Sequence, residues 1–332
     1  MALSILLVIC FLANISLGSV YIPLNEVFNS LLGNATEQET WQHIIQNYRL
    51  PKAITAILVG SGLGISGLLM QTLFRNPLAG PFVLGISSGA SLGVALVILG
   101  SSVFGGVFTI FLISKWSIVI AASVGSFLVL LAVLIVSLKV RDTMAILIIG
   151  LMFASITSAI VSVLSYFGSA QQLQQYIFWG FGSLGNLSWE ELGIFFIIYC
   201  IGLIISLASV KSLNTMLLGE NYAKSLGLNI KRSRFAIIMA TSLLAGTITA
   251  FAGPIAFIGL AIPHLTRQVF NTSNHKILLP AVFLFGAIVM LICDSIAQVP
   301  NSDYTLPINA ITSLVGAPVV IWLLVRKRKM VF

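Results

Sequence analysis

Long apolar segments recur along the whole chain and constrain its fold more than any other feature. Eight uninterrupted runs can be marked, namely residues 3–22, 53–74, 83–112, 116–138, 144–167, 192–210, 277–299 and 306–325. Most have about the 20 residues that a helix needs to cross the hydrocarbon core of a bilayer. The sequence therefore predicts an all-α polytopic protein that lies in a lipid bilayer, with residues 1–332 as a single transmembrane domain.

Composition excludes an ordinary soluble enzyme. Charged residues make up 8% of the 332 residues and hydrophobic residues 58%, whereas an average soluble domain is about 25% charged. The net charge of +8 does not indicate nucleic-acid binding, because the basic residues lie between apolar runs instead of on one exposed face. Cys10, Cys200 and Cys293 are far apart and lack the spacing of a metal site, so we expect buried thiols.

The stretch 235–266 is too long for one crossing. A straight helix of that length would span about 48 Å, against a hydrocarbon core of about 30 Å. It contains Gly253-Pro254, a helix breaker, and basic residues flank both of its ends. Since short basic loops stay in the cytoplasm, the stretch is predicted to leave and return, which makes ten crossings.

This topology places every Lys and Arg on the cytoplasmic side except Arg49, Lys52 and Lys115. Both chain termini are then cytoplasmic, and residues 1–20, which lack Lys and Arg, are expected to be a membrane helix and not a cleaved signal peptide.

The sequence AGPFVLG at 79–85 lies at a predicted cytoplasmic turn, and AGPIAFIG at 252–259 lies at an external one. The pair indicates either an inverted repeat, as in many transporters, or a chance recurrence.

The chain has no sequence that would bind and hydrolyse ATP. A phosphate-binding loop ending in Gly-Lys-Ser/Thr is absent from the sequence. An ion-coupled carrier would be expected to hold carboxylates among its helices, yet Asp294 alone lies within an apolar run, near its external end. We therefore favour a structural role for Asp294 over ion coupling.

Residues 211–234, here called the basic loop, form the largest predicted cytoplasmic segment. Their spacing predicts two short helices joined at Gly219 and closed by Gly227. One interpretation is a solvated loop whose charge only fixes topology. The other is a docking element in which Leu217, Leu218, Ala223 and Leu226 face a partner protein.

Two further sets of polar residues allow alternative interpretations. Arg49 and Lys52 would attract an acidic partner on the external side, or they mark the lipid interface before the second membrane helix. Uncharged polar residues also lie within predicted membrane helices, namely Ser61, Ser66, Gln71, Ser87, Ser88, Ser91, Ser155, Thr157 and Ser158. Most are expected to allow close helix packing; spacing does not say which of them line a wet pathway.

Five segments together resemble the FecCD permease family over nearly the whole chain. They are RLPK at 49–52, SGLLMQTLFRNPLAGPFVLGISSGA at 66–90, LGENYAKSLG at 218–227, GPIAFIGLAIPHLTR at 253–267 and LVGAPVVIWLL at 314–324. Members of this family are the membrane subunits of ABC importers for ferric siderophores, haem and cobalamin. The resemblance implies the type II importer permease fold, with ten helices, in the bacterial cytoplasmic membrane.

The resemblance also implies partners and site residues. The permease would work as a homodimer or with a homologous permease, above two ABC ATPase subunits that use the ATP, and would bind no cofactor itself. The basic loop would be the coupling loop, with Leu218, Gly219, Glu220, Ala223 and Gly227 as its ATPase-coupling residues. Arg49 and Lys52 would dock an external substrate-binding protein, and Thr143 and Met144 align with the family's cytoplasmic gate.

The chain departs from the family pattern at three external positions. Gln298 stands where the cobalamin importer has a basic docking residue, and Thr305 and Asn309 replace an acid and a glycine before the last helix. We expect an alternating-access conduit for a metal chelate, with a ferric siderophore as the first choice and haem or cobalamin next. The rivals are an ion-coupled secondary carrier and a membrane scaffold without a pathway.

Overall fold

The computed structural model describes residues 1–100, 114–139, 143–299 and 304–325. All of its regular elements within these ranges are helical. In chain order the α-helices are α1 (Ala2–Ser16), α2 (Leu24–Leu31), α3 (Glu39–Ile44), α4 (Leu50–Phe74), α5 (Ile86–Ile98), α6 (Lys115–Lys139), α7 (Thr143–Phe167), α8 (Ala170–Gly180), α9 (Trp189–Ala208), α10 (Val210–Leu217), α11 (Glu220–Ser225), α12 (Ile230–Thr241), α13 (Thr247–Ala252), α14 (Ile258–Phe270), α15 (His275–Ala297) and α16 (Ile308–Val325).

Helices correspond to each of the ten predicted crossings, although several are short. Six helical stretches in the described ranges are long and apolar enough to cross a membrane, within α3–α4, α6, α7, α9, α12–α13 and α15. Three shorter apolar helices correspond to α1, α5 and α16, and α14 has 13 residues. The predicted run 83–112 is helical over Ile86–Ile98, and its residues 101–112 lie outside the described ranges.

The predicted break at Gly253-Pro254 is confirmed. Helix α12 passes through a π-helical turn at Ser242–Gly246 into α13, and the helix ends at Gly253, whose φ is +78°. Helix α14 then starts at Ile258. By contrast, α1 ends at Ser16 because Leu17 is extended, so the predicted helix over 3–22 was too long.

Helix α4 is the central element of the bundle. Nearly all of its residues are buried, and it packs against α15 and α14 over much of its length. At Gly67 the approach is so close that a Cβ would lie 1.5 Å from the carbonyl oxygen of Gly259. Small residues thus allow the close helix contact that their density in the sequence predicted.

The outer helices expose apolar faces. In the membrane-length parts of α6, α7 and α9 about a third or fewer of the residues are buried within the chain. Exposed side chains of α7 include Ile148, Leu151 and Ile156. Such surfaces are expected where lipid or another membrane subunit covers the helix.

Candidate functional site

The basic loop forms the two short helices that its spacing predicted. Helices α10 and α11 meet at Gly219, whose φ of +107° and ψ of +148° favour glycine over any residue with a side chain. Gly227, with φ +82°, follows α11 and lets the chain turn into α12. The end of the bundle that carries this loop is called the basic end below.

An apolar surface projects from the basic loop. Leu218 and Leu226 are each 60% exposed, and Tyr222 lies between them in sequence at 56%. Ala223 is fully buried, so the expectation that it faces a partner is wrong; its methyl group packs inside the chain. Tyr222 was missed because a single aromatic residue in a polar loop carries no sequence signal of its own.

Two arginines bond to the short helices of the basic loop. Arg75, which follows α4, donates from Nη2 to the carbonyl oxygen of Leu217 at 2.8 Å. Arg234 of α12 pairs with Glu220 of α11, with 3.0 Å between Nη2 and Oε1. Glu220, predicted to couple to an ATPase, thus also connects α11 to the first turns of α12.

A chain of hydrogen bonds, part-buried at the loop and buried farther in, continues from the loop into the helices. The Asn214 side-chain oxygen of α10 lies 2.8 Å from His275 Nδ1, and the other ring nitrogen lies 2.8 Å from Thr72 Oγ1. Arg267 donates to Gln71 Oε1 at 2.7 Å and reaches Thr72 at 3.5 Å. Helices α4, α10, α14 and α15 are therefore joined at the basic end.

At the opposite end, Asp294 is the centre of a buried polar cluster. Its carboxylate is 2% exposed, pairs with Lys52 Nζ at 3.1 Å and accepts bonds from Asn14 at 2.9 Å and Gln298 at 2.8 Å. The structural role expected for Asp294 is confirmed by these contacts. Gln298, which replaces a basic residue of the cobalamin importer, is itself 8% exposed and bonded to Asp294.

Arg49 lies in the interior and not on an open docking surface. Its guanidinium donates to the carbonyl oxygens of Ile15 at 2.7 Å, of Ser16 at 2.9 Å and of Val20. These carbonyls belong to the end of α1 and the chain after it, where helical partners are lacking. With 9% exposure, Arg49 offers little surface to a partner, whereas the Lys52 side chain keeps 22%.

A cavity of about 600 Å³ lies at this opposite end. Charged, amide and aromatic side chains face it together, among them Tyr48, Lys52, Phe181, Asp294, Gln298 and Thr305. The exposed Thr305 thus lies on its rim. A cavity of this size can admit part of a large ligand but does not enclose one.

Asn309 connects three segments beside that cavity. Its side-chain oxygen accepts from the backbone N–H of Ala256 at 3.0 Å, just after the break. Its own N–H donates to Phe181 O at 3.1 Å, and its amide reaches Gly180 O at 3.5 Å. The departure from glycine at this position therefore adds cross-links between α16, the break and α8.

Three predictions about polar and sulfur-containing residues have distinct outcomes. Thr143 and Met144, the candidate gate, form the start of α7, but their side chains lie outside the described part, so the gate stays a prediction. Cys10, Cys200 and Cys293 are free thiols; Cys293 is buried as expected, whereas Cys10 and Cys200 are half-buried, so the expectation of buried thiols is wrong for these two. Among the described residues no group of His, Cys, Asp and Glu is arranged to hold a metal ion.

The sequence profile of the FecCD transport family matches residues 6–326. The chain belongs to the FecCD transport family. The match covers nearly every helix described above, so it applies to the whole bundle and not to one motif.

Individual relatives agree with this assignment. The hemin transport system permease protein HmuU of Yersinia pestis is 34% identical over 98% of this chain and 95% of its own length. The vitamin B12 import system permease protein BtuC of Klebsiella pneumoniae is 35% identical over 98% of this chain and 93% of its own length. These relatives are permeases, and this FecCD member is likewise a translocation subunit and not an enzyme.

A solved structure confirms the fold. One chain of a metal-chelate type ABC transporter in an inward-facing conformation superposes with a TM-score of 0.85, at 32% identity and 98% coverage of both chains. The predicted type II permease architecture is therefore correct for this FecCD member, including its short and broken helices.

Proposed function

We propose that the chain is the membrane-spanning subunit of an ABC importer that carries a metal chelate into a bacterial cell by alternating access. The relatives HmuU and BtuC, which are permeases for hemin and vitamin B12, support this cargo class. Ferric siderophore, haem and cobalamin are the three candidates, and the sequence resemblance puts the siderophore first.

The observation that carries the proposal is the exposed apolar surface of the basic loop. Leu218, Tyr222 and Leu226 project from the basic loop, which is too polar to cross a membrane. Exposed apolar side chains grouped in this way are typical of a surface that another protein covers. We infer that this surface binds an ABC ATPase. The complete transporter would then contain two permeases, each with one ATPase bound at its basic loop.

The hydrogen bonds behind the loop support a mechanical role. Displacement of α10 would be transmitted through Asn214 and His275 to α4 and α15, which are packed along their length. Closure of the ATPases would in this way alter the packing of the central helices. The permease pair, as homodimer or with a homologue, would then open to one side at a time.

The external partner is a substrate-binding protein docked at the opposite end. Lys52 supplies positive charge there, and the cavity of about 600 Å³ beside it would receive the released cargo. This orientation puts the basic loop and both chain termini in the cytoplasm, following the positive-inside rule.

Reconstitution tests the proposal. The permease, its ATPase and its binding protein are placed in proteoliposomes, and chelate uptake is measured with ATP or with an ion gradient. We expect uptake that requires ATP and all three components. Uptake driven by a gradient without the ATPase would falsify the proposal in favour of a secondary carrier.

A variant pair tests the loop surface itself. Leu218→Asp places a charge on the exposed surface and is expected to abolish binding of the ATPase. Leu31→Asp, a change at a 37%-exposed leucine of α2, is the control and should leave the complex intact. Co-purification of the ATPase with both variants at equal yield would remove the loop from the mechanism.

A further inference from the structure

A second cavity, of about 330 Å³, lies among the membrane helices. Helices α5, α7 and α8 and the break after α13 surround it. Six hydroxyl side chains line it, namely Ser87, Ser88, Ser91, Thr157, Ser158 and Tyr176. Five of them belong to the uncharged polar residues noted in the sequence, and Tyr176 joins them in one group in space.

The two broken segments meet beside this cavity. Phe82 comes from the first AGP sequence and Pro254 from the second, and both line the cavity. The segments also touch each other, since a Cβ on Gly259 would lie 2.8 Å from Pro81 Cδ. Transporters bind their substrates where interrupted helices of two repeats converge near the middle of the membrane.

Two of the hydroxyl groups that line the cavity already donate their proton to the chain, and their oxygens can still accept a hydrogen bond. Ser88 donates to Gly85 O at 3.0 Å, and Thr157 donates to Ala154 O at 2.9 Å. A hydroxyl that donates its one proton keeps lone pairs on its oxygen. These two side chains can therefore receive a hydrogen bond from a ligand.

The same wall can also donate. Ser91 and Tyr176 bond to each other through their hydroxyl groups. The pair has two protons and uses one in this bond, so one O–H remains to donate. Hydrogen-bond donors and acceptors thus occur together in one cavity.

The described lining of the cavity carries no charged side chain. An anionic group placed there would lose its hydration without gaining an opposite charge, which is strongly unfavourable. Amide and hydroxyl groups match the wall, because they donate and accept without a net charge. Ser158 of this lining is also exposed on the surface of the chain.

We propose that this cavity binds the uncharged amide or hydroxyl groups on the rim of a metal chelate during its passage. Its volume suits one edge of such a cargo and not the whole. The inference rests on the proposed function and narrows it to chelates with an uncharged hydrogen-bonding periphery. It favours cobalamin or a neutral hydroxamate siderophore over haem, which carries two carboxylates.

The test uses the complete transporter in proteoliposomes, with its ATPase and binding protein. The probes are cobalamin, a neutral ferric hydroxamate and haem. The variant Ser87→Ala/Thr157→Val removes two cavity hydroxyls without adding bulk. The control Ser155→Ala/Ser162→Ala removes two hydroxyls of α7 that do not line the cavity and that bond to backbone carbonyls of their own helix, Leu151 O and Ser158 O.

We expect the wild type to import an uncharged probe. Uptake per ATP hydrolysed should fall by about three- to tenfold in the cavity variant, the range that lost hydrogen bonds produce. It should change less than about twofold in the control, and ATP hydrolysis should stay within about twofold in both.

Each contrary result overturns a different statement. Import of haem alone overturns the uncharged class. Equal uptake by cavity variant and control, or loss of ATP hydrolysis in the cavity variant, shows that the hydroxyl groups act in packing and not on cargo. ATP-driven import of none of the three probes overturns the proposed function itself, and the cavity assignment with it.

Discussion

Lys52 and Asp294 form an ion pair of 3.1 Å between α4 and α15, at the end of the bundle opposite the basic loop. One partner is almost fully buried, and the other remains partly exposed. Asp294 therefore neutralises a basic group that is partly exposed at this end. The pair has two separable effects, one on stability and one on docking.

Replacing Asp294 by Asn should destabilise the permease by about 2 kcal/mol, because Lys52 loses its partner in a largely desolvated position. Reversible unfolding in mixed micelles measures this. Glu190→Gln, a change at an exposed acid of α9, is the control and should cost less than about 1 kcal/mol. If both variants lost the same free energy of unfolding, the ion pair would make no specific contribution to stability.

Lys52→Glu should weaken docking of the substrate-binding protein about tenfold at low salt, and less at high salt, because screening reduces attraction between exposed charges. Lys115→Glu provides the control, since Lys115 is an exposed lysine at the same end that donates to Asn186 O at 3.0 Å. The affinity of the binding protein for immobilised permease is measured by surface plasmon resonance at several salt concentrations. Unchanged affinity at low salt would refute the role of Lys52.

Arg49→Lys should destabilise the permease nearly as much as Arg49→Ala, by about 1–2 kcal/mol, because an ammonium cannot reach three carbonyl oxygens as the planar guanidinium does. The measurement is again unfolding in mixed micelles. If Arg49→Lys kept full stability, its charge and not its hydrogen bonds would matter, and the docking role expected from the resemblance would regain support.

Gly219→Ala should destabilise the joint between α10 and α11 by about 1–3 kcal/mol, because the backbone conformation of Gly219 is one that residues with a side chain rarely adopt. We expect faster proteolysis of the basic loop and lower transport-coupled ATP hydrolysis. Gly180→Ala, in a helix with open space at the Cβ position, should change neither. Normal coupling in Gly219→Ala would mean that the joint tolerates a different geometry.

Asn214→Ala should uncouple ATP hydrolysis from transport, because it removes the hydrogen bond between the basic loop and His275. Hydrolysis is expected to continue while its stimulation by the binding protein falls at least threefold, as for a lost buried hydrogen bond. The control is Asn47→Ala, which breaks a similar contact of 3.0 Å to His43 at the other end. Identical stimulation in both variants would contradict transmission through this path.

The sequence predicted the features that depend on local physics. The break at Gly253-Pro254, the two helices of the basic loop and a structural Asp294 all follow from helix geometry, turn residues and the cost of a charge in lipid. The burial of Arg49 and Ala223 could not be predicted in this way. Both depend on which segment packs over them, and hydropathy and spacing contain no information on that.

The hydroxyl-lined cavity shows the same limit. Serines and threonines are frequent in the sequence of several membrane helices, and their number alone is explained by close packing. Only tertiary structure brings those of α5 and α7 together with Tyr176 of α8. The family pattern likewise gave no role to Asn309, because the departure from glycine acts through contacts with distant segments.

The contacts of Asn309 have a consequence for motion. Since the Asn309 amide links α8, the segment after Gly253 and the beginning of α16, we expect these three segments to move together when this end of the bundle rearranges during transport. A change of shape there would then be taken up by the chain outside these three segments.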